Sequence, residues 1–325
     1  MSTGSKQRIS VIIPVRNEAG KIHQCLEAVF SQSVKPHEVV IVDGHSTDGT
    51  IEEVRKFPAK IFYEDAHSIA CARQIGVDNA EGEYIAFTDA DCVPDREWLS
   101  NLIKEFDEGI IGVGGAAKNT GDSLWEKSIN LAMDTFLGGA RTLQARFVKE
   151  RRFVRSIGGF NSIYRKQDIL KVGGFNTRLP GGEDLELNKK LSKMGKLLYT
   201  PQAVVLHHHS WTLSKFAKKM FRYAKERGMI RAWDLQVIPA LVAPLLFISL
   251  IFTRWAFLSL LGLYCLLVVA MTLKLTVQGR DTRYLVSVPI VYIVEHSSYI
   301  IGFWRGMILP RGTGVKSAEE ESRVR

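Results

Sequence analysis

The feature that most constrains this chain is the scarcity of charge in residues 235–309. Only seven of these 75 residues are charged, and most of the seven stand between apolar runs. A segment of that composition is typical of membrane proteins, and its length suits more than one pass through a hydrocarbon core. The sequence therefore predicts a membrane region that follows a larger, normally charged domain.

Three stretches of this region are candidates for membrane-spanning helices. Residues Trp255–Leu273 are 19 consecutive uncharged positions, close to the roughly 20 that cross a bilayer. The stretch Val237–Phe252 is shorter and contains Pro239 and Pro244. Such a stretch fits either a spanning helix supported by neighbouring helices or a re-entrant piece.

The third candidate, Tyr284–Leu309, is long enough but is interrupted near its middle by Glu295 and His296. An ionisable pair at that depth is expected to face protein or a polar cavity. We favour three spans, and two or four stay open. With the soluble part in the cytoplasm, three spans place the basic tail outside, whereas two or four return it to the positive-inside arrangement.

The amino terminus and the cysteines indicate where the soluble part resides. Residues 1–10 are polar and lack the apolar run of a cleaved secretory signal. The four cysteines are far apart, without CxxC or metal-ligand spacing. We therefore expect neither a disulfide framework nor a zinc site, and a soluble part that stays in a reducing compartment.

The soluble part alternates between two kinds of pattern. Short apolar runs rich in Val, Ile and Phe are typical of buried strands, and between them apolar residues recur at helical spacing. This alternation predicts an α/β fold with a mainly parallel sheet covered on both faces. The predicted strands are Ile9–Ile13, Glu38–Val42, Lys60–Tyr63 and Tyr84–Thr88, and two of the predicted helices lie over 22–30 and 68–80.

Polar residues follow three of these strands at the point where each strand ends. In parallel sheets, ligands bind outside the carboxyl ends of the strands, so these loops are candidate binding loops. An alternative is that Asp43, Ser46 and Asp48 only cap and turn the chain into the next helix. That explanation suits one loop better than all three. The loops are Pro14–Glu18, Asp43–Thr50 and Asp89–Asp91.

Asp89 and Asp91 give the most specific chemical indication. Two carboxylates one residue apart, directly after a buried strand, can present oxygens to a divalent cation that also holds diphosphate oxygens. An Asp-x-Asp triplet alone is weak support for a metal site, and its position strengthens it.

Glu183 and Asp184 follow two glycines at the start of a predicted helix. A carboxylate within reach of an acceptor hydroxyl could serve as a general base. Acids at a helix amino terminus also suit the helix dipole, which is the alternative explanation. We favour the base for Asp184, and the dipole explanation stays open for Glu183.

A strand-like run ends in His207, His208 and His209. Alternation places His207 and His209 on one face of the strand and His208 on the other. One imidazole could complete a metal shell beside the two aspartates; a polar strand end is the alternative.

Basic residues are concentrated in two segments. Residues 146–155 contain five and residues 215–231 contain seven, each against a single glutamate. The second segment also carries aromatic residues and directly precedes the membrane region. It is therefore typical of an interfacial helix on anionic headgroups rather than of a nucleic-acid platform. In the first, Arg152 and Arg155 could receive an acceptor phosphate, or belong to a basic surface loop.

Six sequence stretches follow one another in a recognisable order. They are Val11–Glu18, Val42–Thr50, Ala72–Arg73 with Gly76, Thr88–Asp91, Gly173–Phe175 and Gly182–Asp184. Jointly they resemble the family-two inverting glycosyltransferases, whose fold is called GT-A, over most of residues 8–230. The membrane-proximal end is further similar to polyprenyl-linked glycan and exopolysaccharide glycosyltransferases with a carboxyl-terminal membrane segment.

This resemblance implies the roles of specific residues. Asp184 is implied as the catalytic base, and Mg²⁺ or Mn²⁺ as the cofactor on the donor diphosphate. Lys219 and Tyr223 depart from the Gln-x-x-Arg-Trp pattern of processive relatives, which places repeated polymerisation in doubt. The donor-binding residues expected are Pro14, Val15, Asn17, Glu18, Asp43, Ser46, Asp48, Arg73, Asp89 and Ala90; the metal ligands Asp89, Asp91, His207 and His209; and the acceptor or phosphate contacts Arg152, Arg155, Glu183 and Arg222.

We therefore expect a membrane-anchored, inverting, metal-dependent hexosyltransferase. Its donor would be a UDP- or GDP-linked sugar, its acceptor a lipid-linked group such as polyprenyl or dolichyl phosphate, and nucleic acid is not an expected partner. A multi-pass protein of the cell membrane with a cytoplasmic catalytic domain is expected. Two other classes stay open, a nucleotide-sugar-binding membrane protein without turnover and a metal-dependent nucleotidyltransferase. The expected domains are a GT-A domain over 1–210, amphipathic interfacial helices over 211–234, a transmembrane region over 235–309 and a polar tail over 310–325.

Overall fold

The computed structural model describes residues 7–139, 148–179, 181–208, 211–229, 231, 233 and 235–308. In chain order its elements are β1 (Ile9–Val15), α1 (Ile22–Phe30), β2 (Glu38–Asp43), α2 (Thr50–Val54), β3 (Lys60–Tyr63), α3 (Ile69–Asn79), β4 (Tyr84–Thr88), β5 (Cys92–Pro94), α4 (Trp98–Ile103), β6 (Ile110–Thr120), α5 (Leu124–Met133), α6 (Phe136–Gly139), β7 (Arg152–Val154), β8 (Asn161–Arg165), α7 (Lys166–Lys171), α8 (Glu183–Leu191), β9 (Lys196–His208), α9 (Leu213–Met229), a 3-10 turn (Leu235–Val237), α10 (Ile238–Phe252), α11 (Arg254–Gly279) and α12 (Tyr284–Ile308).

The chain divides into two compact units. The first contains the described residues of Met1–Asn119 and Phe147–His208, and the second those of Thr120–Arg146 and His209–Thr313. Residues 120–139, which the sequence analysis assigns to the GT-A domain, thus group with the carboxyl-terminal helices.

The described strands of the first unit form one nine-stranded sheet. Its order is β3-β2-β1-β4-β8-β6-β9-β5, with β7 paired to β9. The pairings among β1, β2, β3 and β4 are parallel. The pairings β4–β8, β6–β8, β5–β9 and β7–β9 are antiparallel.

The sheet confirms the predicted α/β fold, and its parallel character is confined to the four amino-terminal strands. Those strands are the ones separated by helical crossovers, which parallel pairing requires. The later strands pair antiparallel and need no such crossover. All four strands predicted from apolar runs are present, and the two longer ones extend to Val15 and Asp43.

Helices cover both faces of this sheet, because successive strand residues point to opposite sides. On β1, Val11 and Ile13 pack with Leu26 of α1 in one apolar core. Ile12 belongs to the other core, with residues of α3 and α8. Gly76 of α3 permits this approach, since a Cβ there would lie 2.4 Å from Ile12 Cγ2.

The second unit contains helices α5, α6 and α9 to α12. Among the described residues, two helices are long and apolar enough to cross a membrane: α11 with 26 residues and α12 with 25. Helix α10 occupies the place of the candidate span Val237–Phe252 and has 15 residues. Its length is about 22 Å, which is less than the thickness of a hydrocarbon core, about 30 Å.

Glu295 and His296 of α12 are buried within the second unit, as expected for an ionisable pair at that depth. The two ring nitrogens of His296 lie 2.8 Å from Tyr264 Oη and 3.0 Å from the carbonyl oxygen of Leu137. Because a carbonyl can only accept, Nε2 donates to Leu137, and Nδ1 of the neutral ring accepts from Tyr264.

Helix α9 carries its apolar residues on a face that the second unit buries. Phe216 and Met220 belong to one apolar cluster with residues of α12, and Ala224 to another. The Lys218 and Arg222 side chains on its other side are exposed. Phe216 therefore serves helix packing, and the basic side of α9 is exposed.

Candidate active site

The carboxyl ends of β2, β1 and β4 lie side by side, because these three strands are parallel neighbours in the sheet. Each end leads into one of the polar loops identified in the sequence. The loop residues Asn17, Ser46, Asp48, Asp89 and Asp91 consequently meet at one edge, where ligands of parallel sheets bind.

The loops after β1 and β2 are joined by reciprocal hydrogen bonds. The backbone amide of Asn17 donates to Ser46 Oγ at 2.9 Å, and the backbone amide of Thr47 donates to the side-chain oxygen Oδ1 of Asn17 at 2.8 Å. Asn17 and His45 both have a positive φ, which an asparagine tolerates better than most residues. The bonds hold the two loops in a fixed mutual position.

The carboxylates of Asp43 and Asp48 both accept hydrogen bonds that stabilise the loop after β2. The carboxylate of Asp43, 1% exposed, accepts bonds from the Ser46 amide and hydroxyl. Asp48 accepts from Thr50 at the start of α2 and from the Ala19 amide. The hydrogen bond from the Thr50 hydroxyl is the main cause that lowers the pKa of Asp48. These bonds turn the loop toward α2, whose N-cap residue is Gly49 and has no side-chain cap.

Pro14 and Val15 are buried at the end of β1, and Glu18 follows in the same loop. The Glu18 amide donates to Thr50 Oγ1 at 2.9 Å, and the Glu18 carboxylate lies 3.3 Å from Lys21 Nζ. Ala90 is buried between the two aspartates of the third loop. These residues line the strand ends mainly with backbone groups.

Asp91 lies close to His207, which β9 brings to this edge of the sheet. The Asp91 Oδ1 to His207 Nε2 distance is 3.2 Å, and His207 is 8% exposed. Strand β5 pairs with β9 so that Cys92 stands directly opposite His207. Among the described residues, potential ligand atoms of Asp91, Cys92 and His207 lie within 4.8 Å of one another.

This ligand set suits a divalent cation of the Mn²⁺ type. A carboxylate oxygen and an imidazole nitrogen both bind such ions, and Asp91 and His207 present them on adjacent elements. The second predicted metal ligand, Asp89, is engaged with Arg73 at 3.2 Å and is not a member of the three-residue group. The predicted ligand His209 lies outside the described residues.

Arg73 of α3 is a buried cation between two elements. Its guanidinium, 4% exposed, donates from Nη2 to Asp89 Oδ1 and from Nη1 to Glu183 Oε1 of α8. Burial by itself would lower the pKa of Arg73, but the carboxylates of Glu183, Asp89 and Asp184 outweigh it, and the pKa is raised. The guanidinium is therefore a permanent charge at this position.

Glu183 is 5% exposed and faces this guanidinium. Burial is the main cause that raises the pKa of the Glu183 carboxyl group, and the neighbouring Asp184 carboxylate raises it further. Arg73 acts in the opposite direction, but the pKa is raised overall. The structure thus places Glu183 on a buried arginine, and its expected role as an acceptor contact stays a prediction. The predicted donor contact, Arg73, is likewise buried beneath Asp89.

Asp184 lies beside Glu183 in the first turn of α8. Gly182 precedes the helix with a φ of 75°, and the Gly159 amide donates to Asp184 Oδ2 at 3.1 Å. The Leu185 amide donates to the other carboxylate oxygen at 2.7 Å. Unlike Glu183, Asp184 is only half-buried.

The three predicted phosphate-binding arginines occupy separate exposed positions. Arg152 is exposed on β7 and pairs with Tyr199, eight residues along β9 from His207 and thus about 26 Å away along an extended strand. Arg155 is exposed, four residues before Gly159. Arg222 is exposed on α9 of the second unit.

Cys92 and Gly159 contribute to the site although the sequence analysis did not select them. Cys92 had a detectable signal, its position directly after Asp91, but its spacing from the other cysteines argued against a metal site. Gly159 is required because a Cβ there would lie 2.2 Å from Arg73 Nη1. No local pattern indicates that contact, since the two residues are far apart in the chain.

Proteins similar to this chain are known, both in sequence and in structure. Residues 10–173 match the profile described as glycosyl transferase family 2. A Methanococcus voltae protein named dolichyl N-acetyl-alpha-D-glucosaminyl phosphate 3-beta-D-2,3-diacetamido-2,3-dideoxy-beta-D-glucuronosyltransferase is 27% identical and aligns over 94% of this chain and 98% of its own. Glycosyltransferase AglE of Haloferax volcanii is 30% identical over 71% of this chain and 75% of its own.

A third relative and a solved structure extend the similarity over most of the chain. The succinoglycan biosynthesis protein ExoA of Rhizobium meliloti is 25% identical over 92% of this chain and 94% of its own. The mannosyltransferase PcManGT of Pyrobaculum calidifontis, solved with GDP-Man and Mn²⁺, superposes with a TM-score of 0.61 at 18% identity. It covers 90% of this chain, and 86% of that protein is matched. At that identity the superposition establishes the fold.

Proposed function

This chain belongs to glycosyl transferase family 2, and from that premise we propose that it transfers a sugar, with inversion, from a nucleotide diphosphate donor to a lipid-linked acceptor. The observation that carries the proposal is the bridge formed by Arg73. Its guanidinium binds Asp89 of the metal-binding loop on one side and Glu183, next to Asp184, on the other. A donor-binding edge and a candidate base are thereby held around one buried charge.

The donor would lie across the ends of β1, β2 and β4. The Asp43 carboxylate and the backbone groups at Pro14 and Val15 would contact the nucleoside, with the loop bonds of Asn17 and Ser46 keeping that surface in place. Asp91 and His207 would hold a Mg²⁺ or Mn²⁺ ion, with Asp89 beside them. When bound, such an ion stabilises the negative charge that builds on the leaving diphosphate.

Asp184 would act as the general base toward the acceptor. Its carboxylate is held by the amides of Gly159 and Leu185, so its orientation is fixed before an acceptor binds. The acceptor hydroxyl would give its proton to this carboxylate while its oxygen attacks the anomeric carbon from the face opposite the leaving group. Proton transfer of this kind contributes about 10² to 10⁴ in rate.

The acceptor is proposed to be membrane-borne, such as a polyprenyl or dolichyl phosphate or a glycan linked to one. Support comes from the name of the Methanococcus relative, which specifies a dolichyl-linked substrate, and from its alignment over nearly the whole chain. Helices α11 and α12 would anchor the protein, and the exposed basic residues of α9 would contact anionic headgroups. We propose a multi-pass arrangement with the catalytic unit on the cytoplasmic side.

The test is a transfer assay with the full-length protein in detergent micelles. It uses a panel of radiolabelled UDP- and GDP-sugars, polyprenyl phosphate as acceptor and Mn²⁺ or Mg²⁺. We expect label in the lipid fraction and release of a nucleoside diphosphate. Release of inorganic diphosphate would instead indicate a nucleotidyltransferase and contradict the proposal.

Two variants distinguish an enzyme from a protein that only binds the donor. Asp184→Asn should lower the transfer rate by about 10² to 10⁴ and preserve donor affinity. The matched control is Glu186→Gln in the same turn of α8, because Glu186 pairs with Lys190 at 3.0 Å rather than with the site. Equal transfer by both variants would exclude Asp184 as the base.

A further inference from the structure

The side chain of Cys92 faces the same point as Asp91 and His207. Cys92 is the first residue of β5 and stands directly opposite His207 of β9, and residues directly opposite in an antiparallel pair point to the same side of the sheet. Its Sγ atom lies 3.8 Å from Asp91 Oδ1, and His207 Nε2 lies 3.2 Å from that same oxygen.

These separations can be compared with those of atoms that share one metal ion. Zinc ligands lie at about 2.3 Å for sulfur and about 2.0 Å for nitrogen and oxygen, at tetrahedral angles, so two ligand atoms are about 3.3 to 3.5 Å apart. The observed 3.2 and 3.8 Å lie close to that range. All three ligand atoms lie within 4.8 Å of one another, so binding one ion would require the side chains to move closer together.

The burial of the three residues differs in a way that suits such a site. Cys92 has 0% exposure, while the side chains of His207 and Asp91 are 10% and 22% exposed. An ion would therefore enter past the carboxylate and imidazole and meet the sulfur at the bottom of the site. Phe160 lies against the His207 ring, with ring centroids 5.1 Å apart, and limits rotation of the imidazole.

We propose that Cys92 is a third, sulfur ligand of the divalent ion, and that it makes this site select thiophilic transition metals over Mg²⁺. The inference rests on the proposed function, because it concerns the ion placed at Asp91 and His207. Mg²⁺ prefers an octahedral shell of oxygens, whereas thiolates favour Co²⁺ and Zn²⁺. On binding, the S–H bond breaks, a metal–sulfur bond forms and the proton passes to the buffer, with no change of oxidation state.

The experiment uses Co²⁺ as the probe on the full-length chain in detergent, with Cys71 and Cys265 changed to Ser. These two substitutions remove the half-buried and the exposed thiol and leave only the buried pair, Cys25 and Cys92. Co²⁺ bound to a thiolate gives an ultraviolet charge-transfer band. The matched control is Cys25→Ser, because Cys25 is also buried and lies beside the same loop, with Sγ 3.5 Å from the Asp89 carbonyl oxygen.

We expect the band in the parent and in Cys25→Ser, and its loss in Cys92→Ser. The Co²⁺ affinity of Cys92→Ser should fall about tenfold or more, because loss of a direct ligand should cost at least as much as loss of an outer-shell partner. The Mg²⁺ affinity should change little. Saturable Co²⁺ binding without a thiolate band in the parent would overturn the role of Cys92 and leave the metal site of the proposed function intact.

Absence of Co²⁺ binding in the parent, or equal Co²⁺ binding in the parent and in Asp91→Ala, would contradict the metal site itself. A measurement without any Cys92 variant guards against misfolding of that variant. X-ray absorption of the Zn²⁺-loaded parent should show one sulfur neighbour at about 2.3 Å. A shell of nitrogen and oxygen alone would overturn the inference.

Discussion

Removal of the Arg73 charge should destabilise the first unit more than an ordinary surface substitution. In Arg73→Met an unbranched apolar side chain replaces the guanidinium, and Glu183, 5% exposed, stays buried without its cation and next to Asp184. Breaking a buried ion pair by removing one partner costs about 3–5 kcal/mol. For a unit of this size that corresponds to a fall in Tm of about 6–20 °C.

The complementary variant, Glu183→Gln, should cost less. Arg73 would keep its hydrogen bond to Asp89 at 3.2 Å, so the buried cation would still have a carboxylate partner. We expect the free energy of unfolding to fall by about 1–3 kcal/mol because of the changed hydrogen bond. The double variant should be more stable than the sum of the single effects predicts, because it removes the cation and the carboxylate together.

The assay is thermal unfolding of the full-length protein, followed by tryptophan fluorescence. Trp98 reports on the first unit, since it is fully buried and donates to Asn161. The parent, the two single variants and the double variant form a double-mutant cycle. The coupling free energy from this cycle should be about 1–3 kcal/mol, with the Arg73–Glu183 interaction stabilising the folded state. Single effects that add to within about 0.5 kcal/mol would refute the reasoning, since independent sites behave that way.

Three further predictions concern individual residues. Asp184→Asn should lower the transfer rate by about 10² to 10⁴ without weakening donor binding, measured by steady-state kinetics and calorimetry. Gly159→Ala should displace the Arg73 guanidinium, costing about 1–3 kcal/mol in thermal unfolding and lowering transfer; a fully active, equally stable variant would contradict the 2.2 Å contact. Burial by itself would raise the pKa of Glu38, but the hydrogen bonds from Lys60 and Ser10 outweigh it and the pKa is lowered. Glu38 thus adds stability that is present above its ordinary pKa and lost as the pH falls through the lowered value. In Glu38→Gln, the Tm of the first unit should therefore vary less with pH over that acidic range.

The sequence patterns predicted the parallel half of the sheet because its determinants are local. Apolar runs such as those of β1 and β4 are bounded by polar residues, and helical periodicity between them requires the crossovers of a parallel arrangement. Of the antiparallel half, only the strand-like run that ends in His207 to His209 was predicted, and its pairing was not. The pairing of β5 with β9, for example, joins residues more than 100 positions apart and leaves no local periodicity.

The site was predictable where its residues follow strand ends. Asp43, Asp89 and Asp91 lie where the alternation of elements places them. The Arg73–Glu183 pair was not predictable in that way, because the two residues are 110 positions apart and each suits an exposed helix equally well. Their burial depends on how closely α3 and α8 approach β4, which only the packed structure reveals.

The membrane region shows the same division between local and tertiary information. Composition identified α11 and α12, and the expected burial of Glu295 and His296 is observed. The aromatic content of the α9 segment was interpreted as typical of an interfacial helix, whereas Phe216 packs within the second unit together with Met220. An amphipathic pattern specifies that one face is covered, and the covering partner depends on tertiary structure.

The central claim is that Asp91 and His207 hold a divalent ion to which the donor diphosphate binds. The most direct test is a Mn²⁺ titration followed by electron paramagnetic resonance, with and without the nucleotide sugar used by the enzyme. We expect donor and Mn²⁺ each to raise the affinity of the other, and by the same factor, in the parent protein, and this coupling to vanish in Asp91→Ala. Donor affinity that is the same in chelator as in Mn²⁺, and unchanged in Asp91→Ala, would contradict the claim.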